Sequence, residues 1–524
     1  MSFELSEMPQ WLFGHDLRGR GYLAARWLFL RSMGLWFFSA FYSLVFQIRG
    51  LMGPQGVLPA KEYLADVSTA LGPWAFRYAP TVLWLSSSNR ALLVLCWVGM
   101  IAAALLTLNF WPRGTMFICL VAFLSFVSAA QEFSGYQSEG MLLEAGVICL
   151  FFAPPGFRPG WGESHPASRA SRWLLLWLWF RIYFESGVAK ILGHDPSWRD
   201  FTAIDQYYQN GPLPTWIGWY AEQFPHAFQA AMTALTLALE LGLVFAVFLP
   251  RRFRIVLFWI VTPWQIGIIL TSNYCFLNYL VLSLGILLLD DEYLSRLLPK
   301  RLRAPTPPEA PAAARVSEWW HLSVSGVCLT WLFIANAALL LMMWFPESAL
   351  LAAPARPLEP FRFANQFGLF GVMTTGRYEI EFQGSNDGGN TWTPYPFRYK
   401  PQDVHVAPGI YAPYQPRFEW NLWFASLGNW RQYPFVPNAE IRLLEASPDV
   451  LALFARNPFP AGPPQQIRAV IWQYWFTDWK ERRADGAWWK RQFLGLYAPQ
   501  IEREPDGKIA VIAWPRLDVP PVVP

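Results

Sequence analysis

The sequence predicts a polytopic α-helical membrane protein of about nine spans, followed by a C-terminal soluble β-rich α+β domain. Three observations carry this prediction. Of 524 residues, 54% are apolar and only 15% charged, against about 25% charged in an ordinary globular chain. Apolar runs recur through the first two thirds of the chain, close to the roughly 17–25 residues a helix needs to cross a hydrocarbon core. The last third instead alternates apolar and polar residues around turn-forming clusters. An aromatic share of 17% suits a chain that lines two bilayer interfaces with amphipathic rings. A net charge of +4 is too small to imply a nucleic-acid partner, so the bilayer is the first partner expected.

Residues 1–22 carry Glu4, Glu7 and Asp16 and no short apolar core before a small-residue cleavage site. They read as a cytoplasmic segment without a cleavable signal, leaving the first span to act as the targeting element. Span-length apolar runs follow near residues 23–46, 91–110, 115–131, 173–191, 228–249, 254–271, 274–290 and 322–345. A shorter run near residues 140–153, GMLLEAGVICLFFA, contains Glu144; counting it gives nine spans, and omitting it gives eight. Loop charge favours nine, because short cytoplasmic loops collect Lys and Arg. With nine spans, Arg18 and Arg20, Arg113, then Arg158, Arg169 and Arg172, then Arg251, Arg252 and Arg254, then Arg296, Lys300, Arg301 and Arg303 all fall on one side. The resulting division is a multi-span domain over 23–298, a proline- and alanine-rich linker over 299–321, a final span over 322–345 and an outward-facing domain over 347–524.

In that last domain, RYEIEFQGSNDGGNTWTPYPFRY reads as a β-hairpin around an Asn-Asp-Gly-Gly-Asn turn, which explains the polar cluster better than a calcium loop does. IRAVIWQYWFTDW suggests a further strand, and FEWNLWFASLG and AEIRLLEASPDVLALFARNPF read as helices, the second closed by Asn457-Pro458.

An ionisable side chain near the bilayer centre costs about 2.5–3.5 kcal/mol on insertion scales and needs a partner or a wet cavity. Arg181 and Glu185 lie four residues apart on one helix face and can pair directly. Lys190 falls on the opposite face, near a span end, where it can snorkel to the interface. Thr233, Thr236 and Glu240 form a polar stripe, and Glu139 and Glu144 sit among glycines that allow the backbone to bend. Each set has two readings, a clasp that holds helices together or the lining of a functional cavity. His15, His165, His194, His226, His321 and His405 are scattered, and Cys96, Cys119, Cys149, Cys275 and Cys328 are isolated in apolar runs. No metal site, cofactor site or disulfide framework is expected from them.

Several motifs, in order, resemble those of the lipase maturation factor family: GYQSEGMLLEAG (135–146), WFRIYFESGVAKILGHDPSWRDFTAIDQYYQNGPLPTWIGWY (179–220) and SNYCFLNYLVLSLGILLLDDEYL (272–294). NQFGLFGVMTTGRYEIEFQGSNDGGNTWTPYPFRYKPQDV (365–404), YQPRFEWNLWFASLG (414–428) and NPFP (457–460) follow. The motif residues singled out are Gln137, Lys190, Trp198, Arg199, Asp200, Asn273, Asn278, Asp290, Asp291, Asn365, Gly368, Phe370, Arg377, Trp420 and Trp423. The resemblance implies a non-catalytic membrane assistant to the maturation of secreted clients such as lipases, with its outer domain facing the periplasm or lumen. Aromatic residues such as Trp420, Trp423, Phe424, Trp472, Tyr474, Trp475, Trp479, Trp488 and Trp489 would then serve either client recognition or an ordinary core. The C-terminal LDVPPVVP lacks a KDEL-type signal, and the composition points to a bacterial inner membrane rather than the endoplasmic reticulum. YFESGVAKILGHDPSW also resembles the γ-carboxylase-like membrane proteins. That resemblance supplies the alternative: a membrane-embedded enzyme in which Lys190, Arg181 and Glu185 converge with Glu144 or Glu240 on a cavity. The maturation reading expects no deep polar pocket in the bundle. A transporter ranks last for want of an internal repeat.

Overall fold

The computed structural model describes residues 8–14, 21–304 and 319–516. Arg18, Arg20, His15, most of the proline- and alanine-rich linker and LDVPPVVP lie outside the described residues. The predicted spans correspond to helices α1 (Leu23–Val45), α2 (Asn89–Thr107), α3 (Pro112–Val127), α4 (Gln137–Phe152), α5 (Arg169–Leu192), α6 (His226–Leu241), α7 (Arg251–Thr271), α8 (Leu277–Gly285) and α9 (Trp319–Met342). Among the described residues, five helices are long and apolar enough to cross a bilayer: α1, α2, α6 with its extension to Phe248, α7 and α9. The remaining four differ for physical reasons. Helices α3, α4 and α8 are short, and α4 carries Glu139 and Glu144. Helix α5 has 24 residues but includes Arg169, Arg172, Arg181, Glu185 and Lys190. These helices are enclosed by protein, with nearly every residue of α4 buried, whereas only 17% of the apolar window of α7 is buried. An enclosed helix can be short or charged because its polar groups find partners in protein instead of lipid.

Helices α1 and α2 pack closely at Gly34, where a Cβ would stand 2.3 Å from Thr107 Oγ1. The start of α1 is tied by side chains distant in sequence. Asp291 accepts the backbone N–H groups of Leu23 and Ala24 at 2.7 and 2.8 Å, which satisfies two of the donors every helix start leaves free. Asp290 accepts from Arg251 at 3.0 Å and caps the next turn at Tyr293 N, 2.9 Å away. Arg26 donates to the carbonyls of Trp161, Gly162 and His165.

The C-terminal module is built on an antiparallel sheet of β1 (Arg377–Ser385), β2 (Thr393–Pro394), β3 (Gln466–Phe476), β4 (Trp489–Leu496), β5 (Gln500–Arg503) and β6 (Ile509–Ala513). Strands β1 and β2 form the expected hairpin, with Gly388 and Gly389 at φ of 68° and 86° supplying left-handed turn positions. The long strand β3 is the spine: it pairs β1 along its length on one side, and β4 and β5 on the other. Strands β4, β5 and β6 were not expected from the sequence. A bulge between Ile471 and Trp472 breaks the β3–β4 register, and β5 and β6 are short. Helices α10 (Arg417–Ser426) and α11 (Phe435–Leu444) cover the sheet. The expected long helix ending at Asn457-Pro458 is instead broken after α11 at Ala446, whose φ is +55°, and resumes for only four residues at Pro448–Leu451.

One apolar core runs through both parts. Phe133 of the bundle, for example, meets Phe435 of the module edge to face at 5.4 Å.

Candidate functional site

The polar residues of the bundle collect where it meets the C-terminal module, and most find their partners across that seam. Arg181 lies on α5 with no solvent exposure; it pairs with Glu144 of α4, with Glu185 at 3.3 Å, and donates to Asn365 O at 2.8 Å. The Asn365 amide donates to Glu144 Oε2 and Gly140 O, both at 3.1 Å. Phe367 N donates to Glu185 Oε2 at 2.7 Å. The stretch Asn365–Phe370 is therefore threaded into the bundle, completing with backbone and side-chain groups the coordination that two buried carboxylates require.

Lys190 does not snorkel. It is 3% exposed, pairs with Glu240 of α6 at 2.8 Å and donates to Leu369 O at 2.8 Å. Arg181 with Glu185 and Lys190 with Glu240 are thus two separate clasps, and the convergent triad of the enzyme alternative is not formed. Among the described residues, Thr233 and Thr236 bond carbonyls of their own helix, at 3.0 and 2.8 Å. Glu139 takes a partner that its spacing does not announce, Arg417 of α10, both with no exposure.

Other motif residues stitch the same seam. Asn273 accepts from Tyr411 N and Ala412 N at 2.7 and 2.9 Å and donates to Gly409 O at 2.9 Å. Gln137 accepts from Gly368 N, Trp198 donates to Phe370 O, and Trp423 donates to Asn210 O, each within 3.1 Å. Arg377 is fully buried and donates to the carbonyls of Gln209 and Pro212 at 2.8 and 3.2 Å, pairing also with Glu379. Gly368 packs closely on α5: a Cβ there would stand 3.3 Å from that of Ala189. Asn278 donates to Gln265, which donates to Tyr183, within the bundle. Asp290 and Asp291 act at the opposite end, and Arg199 and Asp200 lie on the exposed surface.

Between α5, α6, α7, α8 and α10 the seam holds a partly open cavity of about 370 Å³, reached by Glu240, Gln137, Phe370, Trp420 and Trp423. Its lining is mainly apolar, so it is not the deep polar pocket that the enzyme alternative requires.

The C-terminal module gives up most of the aromatic residues singled out above to packing. Tyr474, Trp489 and Trp420 are buried, Trp472, Trp475, Trp488, Trp423 and Phe424 half-buried, and Trp479 is exposed. Apolar side chains are exposed at scattered positions such as Val406, Ile410, Trp479 and Phe493, and in a continuous run on β6, where Ile509, Val511, Ile512 and the following Trp514 are exposed. Strand β6 ends the sheet, and among the described residues no strand pairs with its outer side. Beneath the sheet, burial pushes the Glu419 carboxyl up to about 7 against the pull of three backbone N–H groups, those of Arg398, Lys400 and Tyr399. Burial also drives Glu440 well above the usual carboxylate range.

Comparison with known proteins gives concordant matches. Residues 24–296 match a family model described as the lipase maturation factor transmembrane domain, and residues 363–499 match the lipase maturation factor C-terminal domain. Lipase maturation factor 2 of Gallus gallus is 30% identical over 582 positions, spanning 91% of this chain and 81% of its own length. Lipase maturation factor 1 of Bos taurus is 29% identical, over 94% of this chain and 92% of its own. No solved structure matches significantly.

Proposed function

The chain belongs to the lipase maturation factor family, and on that premise we propose that it assists secreted lipases, or hydrolases of similar fold, to reach their active form. One observation carries the mechanism. Natural sheet edges are blunted by Lys, Pro or bulges; β6 is bounded by Lys508 and Pro515 and its pairing with β5 shifts register once, but the strand itself reads IAVIA with apolar side chains on both faces and Trp514 beyond. Such an edge offers backbone hydrogen bonds and apolar contact to an extended, unfinished chain by strand addition. Holding such segments keeps their unpaired strands from aggregating.

The same reading puts nine spans in a bacterial inner membrane and the module on the periplasmic side. Support comes from the helix ends that meet the module: the start of α4, the end of α5 and the α7–α8 turn are the ends that basic-loop alternation assigns to the outside. The clients' identity as lipases rests on the names of the relatives.

A photoreactive residue placed at Val511, in intact membranes of cells secreting a lipase, is expected to trap newly exported lipase chains and not folded enzyme. Val511→Lys with Ile512→Lys is expected to lower the yield of active lipase at an unchanged membrane level of the factor. Equal trapping of folded and unfolded lipase, or full lipase activity with the double variant, would remove the β6 edge from the mechanism.

A further inference from the structure

We propose that the seam cavity binds one neutral amphiphilic lipid, whose uncharged hydroxyl- or carbonyl-bearing head meets Gln415, Tyr136 and Trp420 and whose apolar body lies along α7 and α8. The first observation is the polar end of the cavity. Gln415 is 1% exposed and Trp420 is 6% exposed. Both side-chain atoms of the Gln415 amide, the Tyr136 hydroxyl and the Trp420 indole N–H are buried without a hydrogen-bond partner among the described residues. All three residues line this cavity, and the Tyr136 and Trp420 rings meet edge to face at 6.1 Å. Buried polar groups are nearly always satisfied, so several orphans converging on one empty space point to an occupant that supplies both a donor and an acceptor.

The second observation is the remaining wall. Here Ile182, Trp264, Ile268, Leu277, Val281 and Phe370 outweigh the polar Gln137, Ser186, Gln265 and Asn278, and a mainly apolar space holds water poorly. Water alone would satisfy the polar end and leave the rest empty. A volume near 370 Å³ is that of a small-molecule pocket, enough for a head group and part of a chain.

Charge selects among lipids. Among the described residues no Lys or Arg lines the cavity; Arg417, beside the Tyr136 ring, is paired with Glu139, and the one carboxylate of the lining, Glu240, is matched by Lys190. A phosphate head would enter a space with no free cation to receive it, which is costly in a low dielectric. An uncharged head matches the amide, hydroxyl and indole groups present. The location fits as well, because lipid-exposed helices α6 and α7 form part of the wall.

The test uses the full-length chain in nanodiscs with two photoactivatable probes of equal chain length, a diacylglycerol and a phosphatidic acid. The diacylglycerol is expected to label cavity-wall peptides of α7 and α8 saturably, and the phosphatidic acid at least about fivefold less. Gln415→Leu should cut diacylglycerol labelling at least about fivefold, the loss of one or two hydrogen bonds to a buried group. Ile268→Trp, at a half-buried wall position, should abolish it by filling the space, with the melting temperature measured in parallel to confirm folding. Equal labelling by both probes, labelling unaffected by Ile268→Trp in a folded variant, or no labelling at all would overturn the proposal, the last leaving water as the occupant. None of these outcomes bears on the client-binding edge, which shares no residue with the cavity lining.

Discussion

Replacing Arg181 with Met takes away the guanidinium that Glu144 and Glu185 share and leaves two carboxylates fully buried. Breaking a buried ion pair by removing one partner typically costs about 3–5 kcal/mol, because the remaining charge is uncompensated, whereas replacing the whole set with neutral groups is often close to neutral. For a 524-residue chain, with an unfolding entropy of about 2.1 cal/mol/K per residue, each kcal/mol moves Tm by about 1 °C, so Arg181→Met should lower it by ~3–5 °C. The triple variant Arg181→Met, Glu144→Gln, Glu185→Gln should recover most of that loss. A second readout is local. Arg181 holds Asn365 O, and Glu185 holds Phe367 N, so limited proteolysis should open the chain near residues 362–376 in the single variant and less in the triple. Thermal melts in nanodiscs with protease mapping measure both. A single variant as stable as the parent, or a triple variant worse than the single, would refute the account of the cluster as a charge-neutralising clasp.

Glu440 is fully buried with its carboxyl held well above its ordinary value by burial. Between that ordinary value and the raised one, the folded chain keeps a proton that the unfolded chain has released, so stability falls as pH rises, by up to about 1.4 kcal/mol per pH unit. Glu440→Gln should therefore melt higher than the parent at pH 8 and equal to it near pH 4; a pH-independent difference would count against this. Asp291→Ala should cost about 1–2 kcal/mol through the lost cap on α1, seen as faster hydrogen exchange confined to Leu23–Ala25. Asn273→Ala removes three bonds to the Gly409–Ala412 loop and should raise protease cleavage there severalfold without changing β-sheet exchange. Lys190→Met should destabilise more than Lys190→Met with Glu240→Gln, since the second variant leaves no unpaired carboxylate.

The helices were legible because hydrophobic runs and helix length are local properties, and the β1–β2 hairpin because its turn is written in four or five residues. Pairing across the seam was not. Helical periodicity puts Arg181 and Glu185 on one face, and the structure joins them as expected, but it says nothing of Arg417, which reaches Glu139 across 278 positions of chain, or of Glu240 as the partner of Lys190. The motif from Asn365 to Phe370 stood out as a pattern without a reason, and its reason is three-dimensional: it supplies amides and carbonyls to bundle charges. Likewise the tryptophans drew attention as a client surface because composition cannot separate a buried ring from an exposed one. IAVIAW, near the end of the described chain, carried the exposed surface and was too short to stand out.

The threaded Asn365–Phe370 segment sets an order of assembly. Ribosomes deliver α4, α5 and α6 to the membrane long before residue 365 leaves the tunnel, so for that interval Glu144, Glu185 and Lys190 sit in an unfinished bundle without the groups that later surround them. The bundle is completed last, when its own C-terminal tail is made and docks. A truncation after α9 would strand the bundle in that incomplete state and mark it for removal by quality-control proteases, so loss of the tail should deplete the whole polypeptide.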